Sequence, residues 1–132
     1  MDTSVWSLAL RRTTPTAKAI VAELSELIAE SRVEMIGPIR QELLSGIKQA
    51  TQYRVLREQL RAFPDLALSR DDYETASDYF NQCRAVGIQG SNTDFLICAA
   101  ATQRSLAVFT TDKDFDAFTR VLGVTLHRVR TA

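Results

Sequence analysis

Apolar positions along the chain recur in two rhythms. After Thr14-Pro15, Ala19, Ile20, Leu24, Leu27 and Ile28 repeat at helical spacing, with Pro15 suited to a first helical turn. Residues 33–36 form a short, mostly apolar run that predicts a strand. Gly37-Pro38 closes it and opens a second helix through Ile39, Leu43, Leu44 and Ile47. The helical pattern resumes over residues 51–63 and stops at Pro64. Ser69 then caps a helix carrying Tyr73, Ala76, Phe80 and Cys83, with Gly87 past its end. Ser91-Asn92-Thr93-Asp94 opens a helix of small and apolar residues. Residues 106–109 predict a strand, 112–122 a helix, and 124–129 a last strand with partial alternation. Short strands alternating with helices predict an α/β fold around a short, mainly parallel sheet. No repeat, low-complexity tract or Gly/Pro/Ser-rich linker divides the 132 residues, so one domain spanning 1–132 is expected.

Composition narrows the function classes. With 45% hydrophobic and 24% charged residues, the chain has the make-up of an ordinary globular protein. Lys+Arg and Asp+Glu both number 16, which argues against a protein that coats nucleic acid by overall basicity. Any such contact must use a local patch or a bound metal. Cys83 and Cys98 have no CxxC neighbour and no His pair nearby, so zinc is not expected and both read as reduced, partly buried thiols. No apolar run approaches the ~20 residues that span a bilayer, and no basic-then-apolar signal opens the chain, so a cytoplasmic location with no membrane association is expected.

Ligands of open α/β sheets gather beyond the carboxyl ends of the strands, and here those junctions carry acids. Asp2 lies in Met1-Asp2-Thr3-Ser4, Asp94 in Ser91-Asn92-Thr93-Asp94, and Asp112 and Asp114 in Thr110-Thr111-Asp112-Lys113-Asp114-Phe115. Glu42 lies one turn into the helix after the second strand. Taken singly, each has a plain explanation, because Asp at a helix start caps backbone N–H groups and suits the helix dipole. As a converging set they would repel one another by roughly 4 kcal/mol per close pair at an effective dielectric near 20. A cation would offset that repulsion. Hard oxygen donors without His or Cys favour Mg²⁺ or Mn²⁺, whose natural chemistry with water and phosphate is phosphodiester hydrolysis.

Four stretches carry a family resemblance: Asp2-Thr3-Ser4-Val5-Trp6; Ile39-Arg40-Gln41-Glu42-Leu43-Leu44-Ser45-Gly46; Thr93-Asp94-Phe95-Leu96-Ile97-Cys98-Ala99-Ala100-Ala101; and Thr110-Thr111-Asp112-Lys113-Asp114-Phe115. In this order and at these separations the chain resembles PIN domains over essentially its whole length, and VapC-type toxin ribonucleases most. The resemblance implies a three-layer fold with a short parallel sheet between helices, and an acidic pocket made by Asp2, Glu42, Asp94 and Asp112. Asp2, Asp94 and Asp112 would hold Mg²⁺ or Mn²⁺, and Glu42 would position or deprotonate the attacking water. Asp114 would be a fifth acid, supporting the others or serving as an alternative ligand, and Thr3, Ser4, Asn92, Thr93 and Thr110 would orient the acids, although plain capping also accounts for Ser4 and Thr93. The implied reaction is endonucleolytic cleavage of RNA, with tRNA or rRNA as substrate, leaving a 3′-hydroxyl and a 5′-phosphate. Implied partners are a VapB-like antitoxin and a second copy of the chain in a homodimer.

PIN chains carry three or four apolar residues of a central strand before the first Asp, whereas here only Met1 precedes Asp2. Either the sequence starts downstream of its natural start, or the first strand is truncated, with the free amino group beside the acids. A truncated strand favours a competing reading, a PIN-like binding module without catalysis, while the four intact acids oppose it. A haloacid-dehalogenase-like phosphatase needs an acid where Ser4 stands, and a response-regulator receiver needs paired acids after the first strand. His127, the one histidine, reads as structural, and Trp6 as a core or interface residue. Arg54, Arg57 and Arg61 line one helix face with Lys48 nearby, a pattern open to solvation or to phosphate contact; Arg11 and Arg12 allow the same two readings. The apolar faces with Ile20, Leu24, Leu27 and Ile28, and with Leu43, Leu44 and Ile47, suit core packing or an antitoxin helix.

Overall fold

Residues 15–30 and 33–128 are described by a computed structural model. They form six helices: α1 (Pro15–Ala29), α2 (Gly37–Leu44), α3 (Ala50–Leu60), α4 (Arg70–Ala85), α5 (Asn92–Gln103) and α6 (Asp114–Val121). Thr14, expected to cap α1, lies outside the described residues. α2 ends three residues earlier than the apolar spacing predicts. Ser45 turns extended, with its amide and hydroxyl both donating to the Gln41 carbonyl, and Gly46 follows at φ 83°. α3 stops at Leu60, not residue 63, because Pro64 disfavours helical backbone before it. Ala62 and Phe63 close a tighter turn onto the Gln59 and Leu60 carbonyls.

Two serines fix the starts of the long helices. Ser69 and Ser91 each accept from the amide three residues on, at Asp72 and Asp94, whose carboxylates accept back from the serine amides. Both are capping boxes with aspartate in the return position. α5 is apolar all round, with residues 95–101 all buried. α4 runs antiparallel along it: Phe80 meets Phe95 near the start of α5, while Gln103 at its end donates to the Asp71 carbonyl and the Thr75 hydroxyl. A helix buried on every side belongs at the centre of a layered fold.

Among the described residues, sheet pairing is confined to two parallel bridges, Met35 with Asp65 and Val108 with Leu126. The runs predicted as strands at 33–36, 106–109 and 124–129 therefore hold one paired residue each, and residue 129 lies outside the described set. The segments are nonetheless interior: Met35, Ile36, Val108 and Phe109 are all buried. That matches a parallel sheet covered on both faces. One core unites Met35, Ile39, Leu60, Cys83, Cys98, Val108, Phe115 and Phe118, and a smaller cluster sets Leu24 and Leu27 of α1 on Phe109. Both cysteines are buried, and burial pushes the Cys83 thiol pKa up. No helix of the described residues is long and apolar enough to cross a membrane.

Candidate active site

The acidic positions sit where two helices begin. Asp94 is the third residue of α5, half-buried, with one carboxylate oxygen accepting from the Ser91 amide at 3.0 Å. Asp112 ends the turn before α6. Its amide donates to the Thr110 hydroxyl at 3.0 Å, and its Oδ1 accepts from the Asp114 amide at 2.9 Å. Asp112 closes a turn onto the first residue of α6 while Lys113 stands at its N-cap, so that helix starts at Asp114 and not at residue 112. The capping explanation is realised at Asp94. It does not compete with metal binding, since a carboxylate offers about four lone-pair sites.

What joins the two helix starts is aromatic packing. Phe95, adjacent to Asp94, lies 4.9 Å from Phe118 of α6 between ring centroids, and Phe118 lies 5.0 Å from Phe115, adjacent to Asp114. Phe80 of α4 closes on Phe95 at 5.6 Å, edge to face. Gly90, just before the Ser91 cap, runs so close to this cluster that an added Cβ would lie 2.6 Å from Phe118 Cζ. The Asp94 and Asp112 turns are therefore anchored to one buried set of rings.

Glu42 is on α2, exposed, while Ile39 and Leu43 of the same helix enter the core. α2 is fixed by Arg40, which donates to the Leu60 carbonyl at 3.0 Å, to the Phe63 carbonyl and to the Asp65 carboxylate. Asn92 and Asp114 are exposed and Thr93 and Thr110 half-buried. Asp2, Thr3 and Ser4 lie outside the described residues. Among the described residues no three His, Cys, Asp or Glu side chains close on one cation position, so Glu42, Asp94 and Asp112 alone do not complete a metal centre. Their donor chemistry, carboxylate oxygen throughout, still suits a hard divalent cation.

Sequence reasoning missed the buried pair of Glu23 and His127. His127 Nε2 and Glu23 Oε2 lie 2.6 Å apart, with Glu23 buried and the imidazole edge-on to Phe109 at 5.1 Å. His127 is structural, as expected, but it ties α1 to the last extended segment. The signal was present in Glu23, which shares the helical face of Leu24 and Leu27.

A family model for the PIN domain matches residues 1–121. The chain belongs to the PIN domain family. Its acidic turns on α5 and α6 and Glu42 on α2 lie within the matched span. This PIN domain is 29% identical over 128 residues to the VapC ribonuclease Mb1587 of Mycobacterium bovis and to the ribonuclease VapC11 of Mycobacterium tuberculosis. The matches cover 94% of this chain and 93% of each relative. In structure it resembles FitAcB from Neisseria gonorrhoeae, with a TM-score of 0.76 at 25% identity, over 96% of this chain and 94% of that one. The likeness supports a PIN fold with the described helices packed on parallel extended segments.

Proposed function

We propose that this PIN domain, spanning 1–132 as a single three-layer unit, is a VapC-like endoribonuclease dependent on Mg²⁺ or Mn²⁺. One observation carries the reading: acids occupy all four motif positions in a chain that matches ribonuclease relatives over nearly its full length, and two of them start helices sharing one aromatic cluster. Asp2, Asp94 and Asp112 would hold the cation, which when bound supplies Lewis-acid polarisation and a lowered pKa for water. Glu42, exposed on α2, takes or orients the proton of the attacking water. Ser91 and Thr110, by engaging the Asp94 and Asp112 turns, hold those carboxylates in one orientation, and Thr3, Asn92, Thr93 and Asp114 support them. Cleavage leaves a 3′-hydroxyl and a 5′-phosphate, on tRNA or rRNA, in the cytoplasm. A VapB-like antitoxin and a second copy of the chain complete the assembly.

The test is cleavage of RNA with and without Mg²⁺ or Mn²⁺, alongside Asp94→Asn. Loss of even a group that orients a ligand costs about 10–100-fold, so replacing the ligand itself should lower the rate by about 100-fold or more. Cleavage that survives both EDTA and Asp94→Asn overturns the metal-nuclease reading. RNA that binds but is never cut in either metal points instead to a binding module.

A further inference from the structure

The zero net charge conceals a segregation. Residues 48–61 carry Lys48, Arg54, Arg57 and Arg61 against one acid, Glu58. Residues 62–78 carry Asp65, Asp71, Asp72, Glu74 and Asp78 against one base, Arg70. At about 100° per residue the three arginines and Glu58 fall within one third of the circumference of α3. Arg54, Glu58 and Arg61 lie away from Leu56 and Leu60, which enter the core, and half-buried Arg57 borders them. The helix dipole favours cations near a C-terminus, which accounts for Arg57 and Arg61. It disfavours Lys48, which precedes the N-cap Gln49.

The counter-charge on this face is loosely held. Glu58 meets Arg57 at 3.5 Å and Arg61 at 3.1 Å, with side chains 38–60% exposed. Exposed pairs of this kind are screened by salt and contribute little, so a phosphate can replace the carboxylate at small cost. The Arg57 guanidinium also lies over the Tyr53 ring, 5.9 Å from its centroid. A guanidinium over a ring leaves their outer faces as a stacking surface of the kind that unpaired bases use. Arg40 pins the end of α3 to α2, two residues before Glu42, so this face and the candidate general base share one packed unit.

We propose that the Arg54–Arg57–Arg61 face of α3, with Lys48 and Tyr53, is a track for the backbone of single-stranded RNA beside α2, the helix that carries Glu42. The proposal rests on the nuclease reading for what happens to the bound strand, but its own content is binding. Bases splayed from a single strand suit the Tyr53–Arg57 pair, which an acidic peptide would leave unused. Contact with the phosphates through side chains of one helix also reconciles nucleic-acid binding with a neutral chain.

The experiment titrates the full chain with a labelled single-stranded oligouridylate of about 12 nucleotides, in EDTA so that no metal-dependent cleavage intervenes, at several salt concentrations. Arg54→Gln combined with Arg61→Gln should weaken binding. It should also reduce the slope of log K against log salt by about 1.4, the loss of two contacts at about 0.7 each for single strands. Glu58→Gln should act in the opposite direction and tighten binding, which a purely structural role for that ion pair does not predict. An unchanged salt slope in the double variant, or weaker binding in Glu58→Gln, overturns the track. So does polyglutamate that binds with arginine dependence while oligouridylate does not, an outcome that assigns the face to an acidic protein. Cleavage in Mg²⁺ or Mn²⁺ is read separately: its absence with the slope change intact sinks the nuclease reading alone.

Discussion

Both oxygens of the buried Asp72 carboxylate accept from Arg104, at 2.9 Å each, and one also closes the capping box with the Ser69 amide. The Arg104 hydrogen bonds outweigh the opposing effect of burial and hold the Asp72 pKa at about 2, against an ordinary 3.8. A depressed carboxylate stabilises the fold fully above its unfolded value, and that contribution fades as pH falls from about 3.8 through about 2. The difference is worth about 2 kcal/mol. Urea unfolding at pH 6 and pH 2.5 should show most of this loss in the wild type and a flatter profile in Asp72→Asn; parallel profiles would refute the assignment. Arg104→Met should cost about 3–5 kcal/mol at neutral pH, since it leaves a buried charge unpaired, read as a fall in urea midpoint. Ser69 was legible as a cap from residue type and position alone. Arg104, the partner of Asp72, lies 32 residues beyond it, and no local pattern announces a contact at that distance. Glu23 with His127 teaches the same lesson across 104 residues.

At the scale of elements, helices were legible and strands much less so. A helix satisfies its own backbone and repeats its apolar face every turn, so α1, α4 and α5 follow directly from spacing and caps. A strand depends on partners elsewhere in the chain, and the runs at 33–36 and 106–109 reveal their apolar character but not which segment they meet. The packing of α5 against α6 was equally hidden, because Phe95, Phe115 and Phe118 read as ordinary core residues until their rings meet. Gly90 is the weak point of that junction. A Cβ there would lie 2.6 Å from Phe118 Cζ and 3.0 Å from two ring atoms of Phe95, and both rings are held by buried neighbours. Gly90→Ala should therefore destabilise by about 1–3 kcal/mol, measured by thermal unfolding. Because the strain falls between the Asp94 and Asp112 turns, RNA cleavage should drop by more than the lost folded fraction explains. A variant as stable and active as wild type would show that the rings yield freely and do not set the spacing of the acids.

For the whole molecule, the open question is whether distant acids act as one centre. The four positions are proposed from the strand–helix junctions and the likeness to PIN domains, yet convergence is a property of the folded chain. Glu42, Asp94 and Asp112 alone do not close on a cation among the described residues, so the proposed centre needs Asp2 as well. Metal binding to the native state alone raises stability by RT ln(1 + [M]/Kd), or about 1.4 kcal/mol when the metal stands at ten times its Kd. For a chain of this size that corresponds to a rise in Tm of roughly 5 °C. Millimolar Mn²⁺ should produce such a shift, EDTA should reverse it, and Asp2→Asn and Asp94→Asn should each reduce it. Glu42→Gln should preserve most of the shift while lowering cleavage, because Glu42 is assigned to the water and not to the cation. A Tm indifferent to Mn²⁺ would mean that the carboxylates do not share an ion. If the shift survives in Asp2→Asn, the described acids bind metal without the N-terminal aspartate, and the centre has to be redrawn around Asp94, Asp112 and Asp114.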